Sequence, residues 1–151
     1  MSATASPSDL TDHLGYWLRM VSNAVSHGFA RRVEAEGVTV AEWVFLRALF
    51  DSEGMAPTVL ADRMGMTRGA ISKLADRVEA KGLILRQGAA GRGQILSLTT
   101  AARALVPRLA ALADANDAAF LAPLSAADRL ALAGILQSLA AAHGLTAAPL
   151  D

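Results

Sequence analysis

Residues 57–100 read PTVLADRMGMTRGAISKLADRVEAKGLILRQGAAGRGQILSLTT, and this stretch decides the fold. Two helical patterns, about Pro57–Met64 and Thr67–Lys81, are parted by a tight Gly65-Met66 turn. Pro57 suits a first helical position, Thr67 an N-cap, and Gly82 a C-terminal stop. The key spacing is Ala61-x3-Gly65-x5-Ile71. A small Ala61 lets a second helix cross, Gly65 supplies a backbone that can bend, and Ile71 plugs the space behind. That is the grammar of a helix-turn-helix. Two short strand patterns follow, Leu83–Gln87 and Gln94–Thr99, around the glycine-rich tip Gly88–Gly93. A helix-turn-helix followed by such a hairpin is a winged helix.

The second helix sorts its residues by face. Ala70, Ile71, Leu74 and Val78 fall on one apolar stripe, and Arg68, Gly69, Ser72, Lys73, Asp76 and Arg77 lie opposite. Gly69 lets backbone approach a groove floor, Ser72 and Lys73 are placed to reach base edges, and Arg68 and Arg77 flank them where phosphates run. The Thr67-capped N-terminus favours a nearby phosphate. Asp76 has two readings: an acceptor for a cytosine amino group, or, favoured, a partner for Lys73 three residues back. From Arg63 to Arg108 nine bases face only Asp76 and Glu79, a net +7 inside a chain of zero formal charge. Such a basic block marks a polyanion partner.

Upstream, Thr39-Val40-Ala41-Glu42 is a capping box, with Val38 and Trp43 available as a hydrophobic staple. Val44, Leu46, Leu49 and Phe50 continue that helix until Asp51-Ser52-Glu53-Gly54 closes it. Before it, Leu10, Leu14, Trp17, Val21, Val25 and Phe29 recur at helical spacing. They predict one helix from Ser6, with Pro7 at its first position, to about Gly37. A helix of nearly 30 residues outruns a small core and is expected to lean on a second subunit. Downstream, Leu105, Leu109, Leu112, Asn116 and Phe120 share a face of a helix beginning near Thr100 and bent at Pro107. A last helix starts at Ser125, with Asp128 in support, and carries Leu130, Ile135, Leu136 and Leu139; a tail follows Gly144. The expected architecture is mainly α with a small β-wing. One domain spans residues 6–144, with the winged helix-turn-helix at about 38–99 and dimerisation helices at about 6–36 and 100–143.

Other chemistries find little footing. His13, His27 and His143 are scattered without acidic or cysteine partners at ligand spacing, so no metal site is expected. No Gly-x-Ser-x-Gly, phosphate loop or carboxylate pair points to catalysis or to a cofactor, and a non-enzymatic protein is expected. The chain has no cysteine, hence neither disulfide framework nor thiol sensor. No apolar run reaches the roughly 18–20 residues of a membrane span. The N-terminus lacks the basic start and apolar stretch of a secretory signal, and a cytoplasmic location is expected.

From His13 to about His143 the sequence resembles the MarR family of transcriptional regulators. The likeness is carried by Leu60-Ala61, by Met64-Gly65-Met66-Thr67, by Ile71, by the run Leu74 to Ile84, by Arg92 and by Leu98-Thr99. The resemblance implies a two-fold dimer formed by the first helix and the last two. Each subunit would place the Thr67–Lys81 helix in a major groove of double-stranded DNA and Arg92 in or beside the minor groove. The family's wing usually carries Asp-x-Arg; here Ala90 stands in the aspartate's place, and the hairpin is about two residues short. Many relatives bind a small aromatic or anionic effector that weakens DNA affinity. His13, Tyr16, Trp17, Trp43 and Arg47 either line such a pocket here or simply knit the first helix to the second. The expected function is a sequence-specific homodimeric DNA-binding regulator, a repressor relieved by ligand and reading a pseudo-palindromic operator. The alternative, suggested by the blunted wing, is a winged-helix dimer serving only as a protein-interaction module.

Overall fold

The computed structural model describes residues 5–88, 93–148 and 150. It contains six α-helices and one two-stranded antiparallel sheet. α1 (Leu14–Glu34) is shorter than its periodicity promised. Asp9 and Asp12 make their own capping box around a single 3-10 turn, Leu10–Asp12. His13 then turns extended (φ −94, ψ 122), so the helix begins seven residues after Pro7. At 21 residues it is about 30 Å long. Pro7 and Leu10 belong to the lead-in instead.

α2 (Val40–Phe50) starts on the predicted box. Thr39 Oγ1 accepts from the Glu42 N–H at 3.2 Å, and Glu42 Oε2 accepts from the Thr39 N–H at 3.0 Å. α3 (Pro57–Met64) has proline in its first turn and ends on Gly65, which is left-handed (φ 63, ψ 32), while the Met66 N–H bonds back to the Ala61 carbonyl. α4 (Arg68–Ala80) is capped by Thr67, whose hydroxyl accepts from the Ala70 N–H. Strands β1 (Ile84–Gln87) and β2 (Ile95–Leu98) pair from Ile84 opposite Leu98 to Gln87 opposite Ile95. Met55 adds a third short run by exchanging both backbone bonds with Leu96 at 2.9 Å, which ties the wing's base to the α2–α3 connection. α5 (Thr100–Phe120) runs through Pro107, and α6 (Ala126–Ala142) starts on Ser125, whose hydroxyl accepts from the Asp128 N–H.

The core lies almost wholly in the winged lobe. Phe45, Leu46 and Leu49 of α2 meet Leu60 and Met64 of α3, Ile71, Leu74, Ala75 and Val78 of α4, Leu96 of the wing and Leu109 of α5. Ala75 takes the buried place expected of Ala70, which is only half-buried. α1 contributes Val33 alone as a fully buried residue, and α6 none. Where α1 crosses α5, Gly28 leaves a gap: a Cβ there would stand 2.9 Å from Asn116 Oδ1. The buried Asn116 fills it and donates through Nδ2 to the Val25 carbonyl at 3.0 Å. Leu14, Trp17, Leu18 and Val21 on α1, and Leu130, Ile135, Leu136 and Leu139 on α6, remain 45–77% exposed. These are the residues whose periodicity pointed to a second subunit.

Candidate nucleic-acid interface

The turn at Gly65 sets how α4 leaves α3, and α4 buries Ile71, Leu74, Ala75 and Val78. That burial fixes the opposite face: Arg68, Gly69, Ser72 and Lys73 are all exposed. Gly69 has open space where a Cβ would go, so internal packing does not ask for glycine there. Thr67 is exposed as well, though its hydroxyl is taken by the cap. Arg92 and Ala90, two positions before it, lie outside the described residues.

The nine bases from Arg63 to Arg108 are not equivalent. Arg77, read as a flanking phosphate contact, turns its head to α2 instead, where it donates to Glu42 Oε1 at 3.0 Å and Thr39 Oγ1 at 3.3 Å. Lys81 donates to Glu42 Oε2 at 2.7 Å and to the Gly37 carbonyl at 2.9 Å. Glu42 itself is 1% exposed, so two cations close over a buried carboxylate that also caps its own helix. Burial alone pushes that carboxyl's pKa up. The hydrogen bonds from Lys81, the Thr39 N–H and Arg77, with the charge of Lys81, outweigh burial and hold it below the usual carboxylate value.

Asp76 also differs from expectation: its partner is Arg86 of β1, not Lys73. Arg86 Nε stands 3.1 Å from Glu79 as well, so one wing arginine neutralises both acids of the basic segment. Arg103 donates to the Phe50 and Ser52 carbonyls at the end of α2, and Arg108 lies 3.6 Å from Glu36. Among the described residues, Arg63, Arg68 and Lys73 have no acidic partner within 4 Å, and all three are exposed. Arg63, at the last turn of α3, was not singled out by sequence; its signal was only its place in the basic block. A small cleft between α4 and the wing, lined by Thr58, Arg68, Ser72, Arg86 and Gln94, joins the two elements of this surface.

The aromatic set splits. Tyr16 and Trp17 meet edge to face at 5.7 Å, and Trp17 Nε1 donates to the Thr11 carbonyl at 3.0 Å, next to His13 at the start of α1. Trp43 packs edge-on against Phe29 at 6.4 Å. Arg47 pairs with Asp51 at 2.7 Å and lies over the Phe50 ring. Trp43 thus knits α2 to α1, while Tyr16, Trp17 and His13 sit at the start of α1. Among the described residues, no three His, Cys, Asp or Glu side chains are grouped to hold a metal, and no helix is long and apolar enough to cross a membrane.

A capped helix-turn-helix with an outward basic face, a two-stranded wing and flanking helices with unburied apolar faces define a winged-helix regulator. A MarR family model matches residues 36–94, the lobe that contains this surface. The chain belongs to the MarR family, as its likeness to a full-length relative shows. That relative is the HTH-type transcriptional repressor Rv2887 of Mycobacterium tuberculosis, 30% identical over 128 residues spanning 83% of this chain and 92% of the relative. The crystal structure of Rv2887 in complex with DNA matches with a TM-score of 0.72 at 29% identity, covering 84% of this chain and 97% of that one. Its complex with p-aminosalicylic acid matches with a TM-score of 0.66 at 30% identity, covering 84% and 98%.

Proposed function

We propose that this protein is a sequence-specific DNA-binding transcriptional repressor that acts as a homodimer on a pseudo-palindromic operator and is relieved by a small aromatic or anionic effector. The observation that carries this reading is the outward face of α4. Arg68, Ser72 and Lys73 stand exposed on a helix whose other face is locked into the core, and the relative solved with DNA shares the fold along its length. In this reading Ser72 and Lys73 meet base edges, and Arg68, Arg63 and the Thr67-capped helix end meet phosphates. Arg92 meets phosphate or the minor groove. Arg77 serves the α2–α4 joint rather than the flank.

The dimer reading rests on α1 and α6, whose apolar side chains one chain leaves in water. The domain limits are taken as residues 6–144. The effector reading rests on the relative's p-aminosalicylic acid complex. A regulator of this kind works in the cytoplasm and performs no catalysis.

Selection of bound sequences from a random DNA pool tests the function. The expected product is an inverted repeat with half-site centres about one helical turn, 10–10.5 base pairs, apart. Recovery of no enriched sequence, with salt-insensitive retention, would transfer the surface to protein partners instead. Sedimentation at micromolar concentration tests the dimer, and a fully folded monomer would defeat it.

A further inference from the structure

Among the described residues only two polar side chains are buried, Glu42 and Asn116. Glu42 belongs to the α2–α4 joint, whereas Asn116 stands where the winged lobe meets the helices assigned to the dimer. α5 is anchored in the winged core by Ala102, Leu105, Val106 and Leu109, and beyond Leu109 Asn116 is its one buried residue. On α1 the one buried residue is Val33, with Gly28 and Val25 about one and two turns nearer the N-terminus. The Asn116 amide seats on those two. Its Nδ2 donates to the Val25 carbonyl at 3.0 Å, and a Cβ on Gly28 would stand 2.9 Å from its Oδ1. Outside its own helix backbone that Cβ would meet no other residue within 4 Å among the described residues, so the notch is fitted to this one side chain.

We propose that Asn116 is a positioning residue, a pin that fixes the register of α1 on α5 and thereby the separation of the two recognition helices in the dimer. Its role rests on the dimeric regulator proposed above and adds how operator spacing is chosen. The chain gives up stability at both positions. Glycine inside a helix is less favourable than alanine, and a buried amide is less favourable than an apolar side chain of similar size. Such a pair serves where direction matters more than strength. Apolar side chains slide past one another at small cost, whereas one amide bonded in one notch admits a single register. The crossing also has leverage. N-terminal to the notch, α1 carries Leu14, Trp17, Leu18 and Val21, exposed in one chain and assigned to the dimer. The other end of α5 is fixed to the lobe that holds α4. A slip or rotation at the crossing therefore moves α4 against its two-fold mate. Adding one base pair between half-sites displaces one of them by about 3.4 Å along the duplex and about 35° around it, a step that a fixed crossing resists.

Operator spacing and label distance are measured on the full-length protein. The sequence has no cysteine, so Ala80→Cys, exposed at the end of α4, places one nitroxide on each recognition helix of the dimer. The parent in that background is expected to give one narrow distance between labels by double electron–electron resonance. Asn116→Leu keeps the volume and drops the bond; Gly28→Ala displaces the amide. Both are expected to remain folded dimers by melting and sedimentation, and to give a broadened or shifted distance. Gel shifts compare duplexes whose half-sites stand at the selected spacing or one base pair nearer or farther. The parent's preference for the selected spacing is expected to fall on the order of tenfold in both variants, the factor carried by one or two neutral hydrogen bonds. In Gly28→Ala combined with Asn116→Ala, the losses of Tm are expected to be less than additive, as direct contact requires, while the spacing preference stays relaxed. If one variant fails to fold, the other carries the test. Parental distance and parental spacing preference in folded variants would overturn the inference and leave the pair a packing contact, whatever their melting points. A parent that dimerises without binding DNA would defeat the regulator reading alone, and the label distances would still decide the pin. A monomeric parent would defeat both.

Discussion

Replacing Glu42 with alanine removes the carboxylate that joins α2 to the recognition helix. Three interactions go with it: the Thr39 N–H at 3.0 Å, Lys81 Nζ at 2.7 Å and an Arg77 nitrogen at 3.0 Å. The backbone bond contributes about 1 kcal/mol. A fully buried charge pair would be worth more, but Lys81 is 39% and Arg77 53% exposed, so both heads regain water when the acid is removed. That holds each pair to about 0.5–1 kcal/mol. The total is about 2–3 kcal/mol, which for a chain of this length lowers Tm by about 5–10 °C. Glu42→Gln keeps an acceptor for Thr39 and is expected to lose about half as much.

Acidity separates the charge from the shape. Because the folded carboxyl titrates below its usual value, its contribution is complete above the unfolded pKa and is lost as pH falls through the folded one. The gap between parent and Glu42→Gln should therefore be full above about pH 5 and shrink as pH falls through and below the ordinary carboxylate range. Calorimetric melting at pH 7 and under acid conditions measures both. Melting of Glu42→Ala within a degree of the parent, or a Glu42→Gln gap indifferent to acid, would refute the account.

Lys73→Ala is expected to relax operator preference and cost about 1–3 kcal/mol per half-site, measured by competition between cognate and scrambled duplexes. Arg77→Ala, by contrast, should leave sequence preference intact and lower Tm, because its guanidinium serves Glu42; a loss of specificity there would return Arg77 to the interface. Gly69→Ala meets open space within the chain and should raise helix stability by up to about 1 kcal/mol while weakening DNA binding in a gel shift. Unchanged binding would detach Gly69 from the interface. Gly65→Ala forces a side chain into the left-handed region, at a cost of about 1–2 kcal/mol by urea unfolding.

What could be read from sequence was local. The Thr39–Glu42 box, the Gly65 turn, the Thr67 cap and the burial of Ile71, Leu74 and Val78 each depend on residues within a few positions of one another. The misreadings share the opposite trait. Arg77 meets Glu42 across 35 positions, and Asp76 meets Arg86 across the turn into β1. A helical wheel shows a basic residue only as outward, so a cation that folds back over a neighbouring helix looks the same as one that meets a phosphate. The start of α1 failed for a different reason: Asp9 and Asp12 satisfied each other locally, and the turn they closed was complete before the helix began. Trp43 and Arg47 share α2 with apolar neighbours, and chemistry suited to a ligand equally suited Phe29 and Asp51.

The internal pairing of charge bears on how a regulator finds one site among a genome of others. Every phosphate neutralised by a loose cation displaces a condensed counterion, whatever the base sequence, and so deepens the attraction of random DNA. A lobe that showed all nine of its bases to solvent would be held by every stretch of chromosome and would search slowly. Here Glu42, Glu36, Asp76 and Glu79 already occupy Arg77, Lys81, Arg108 and Arg86, and Arg103 is engaged by backbone carbonyls. With those bases engaged, the background hold on arbitrary sequence is expected to be shallower, and the ratio of cognate to random occupancy to fall more heavily on bases without an acidic partner, among the described residues Arg63, Arg68 and Lys73.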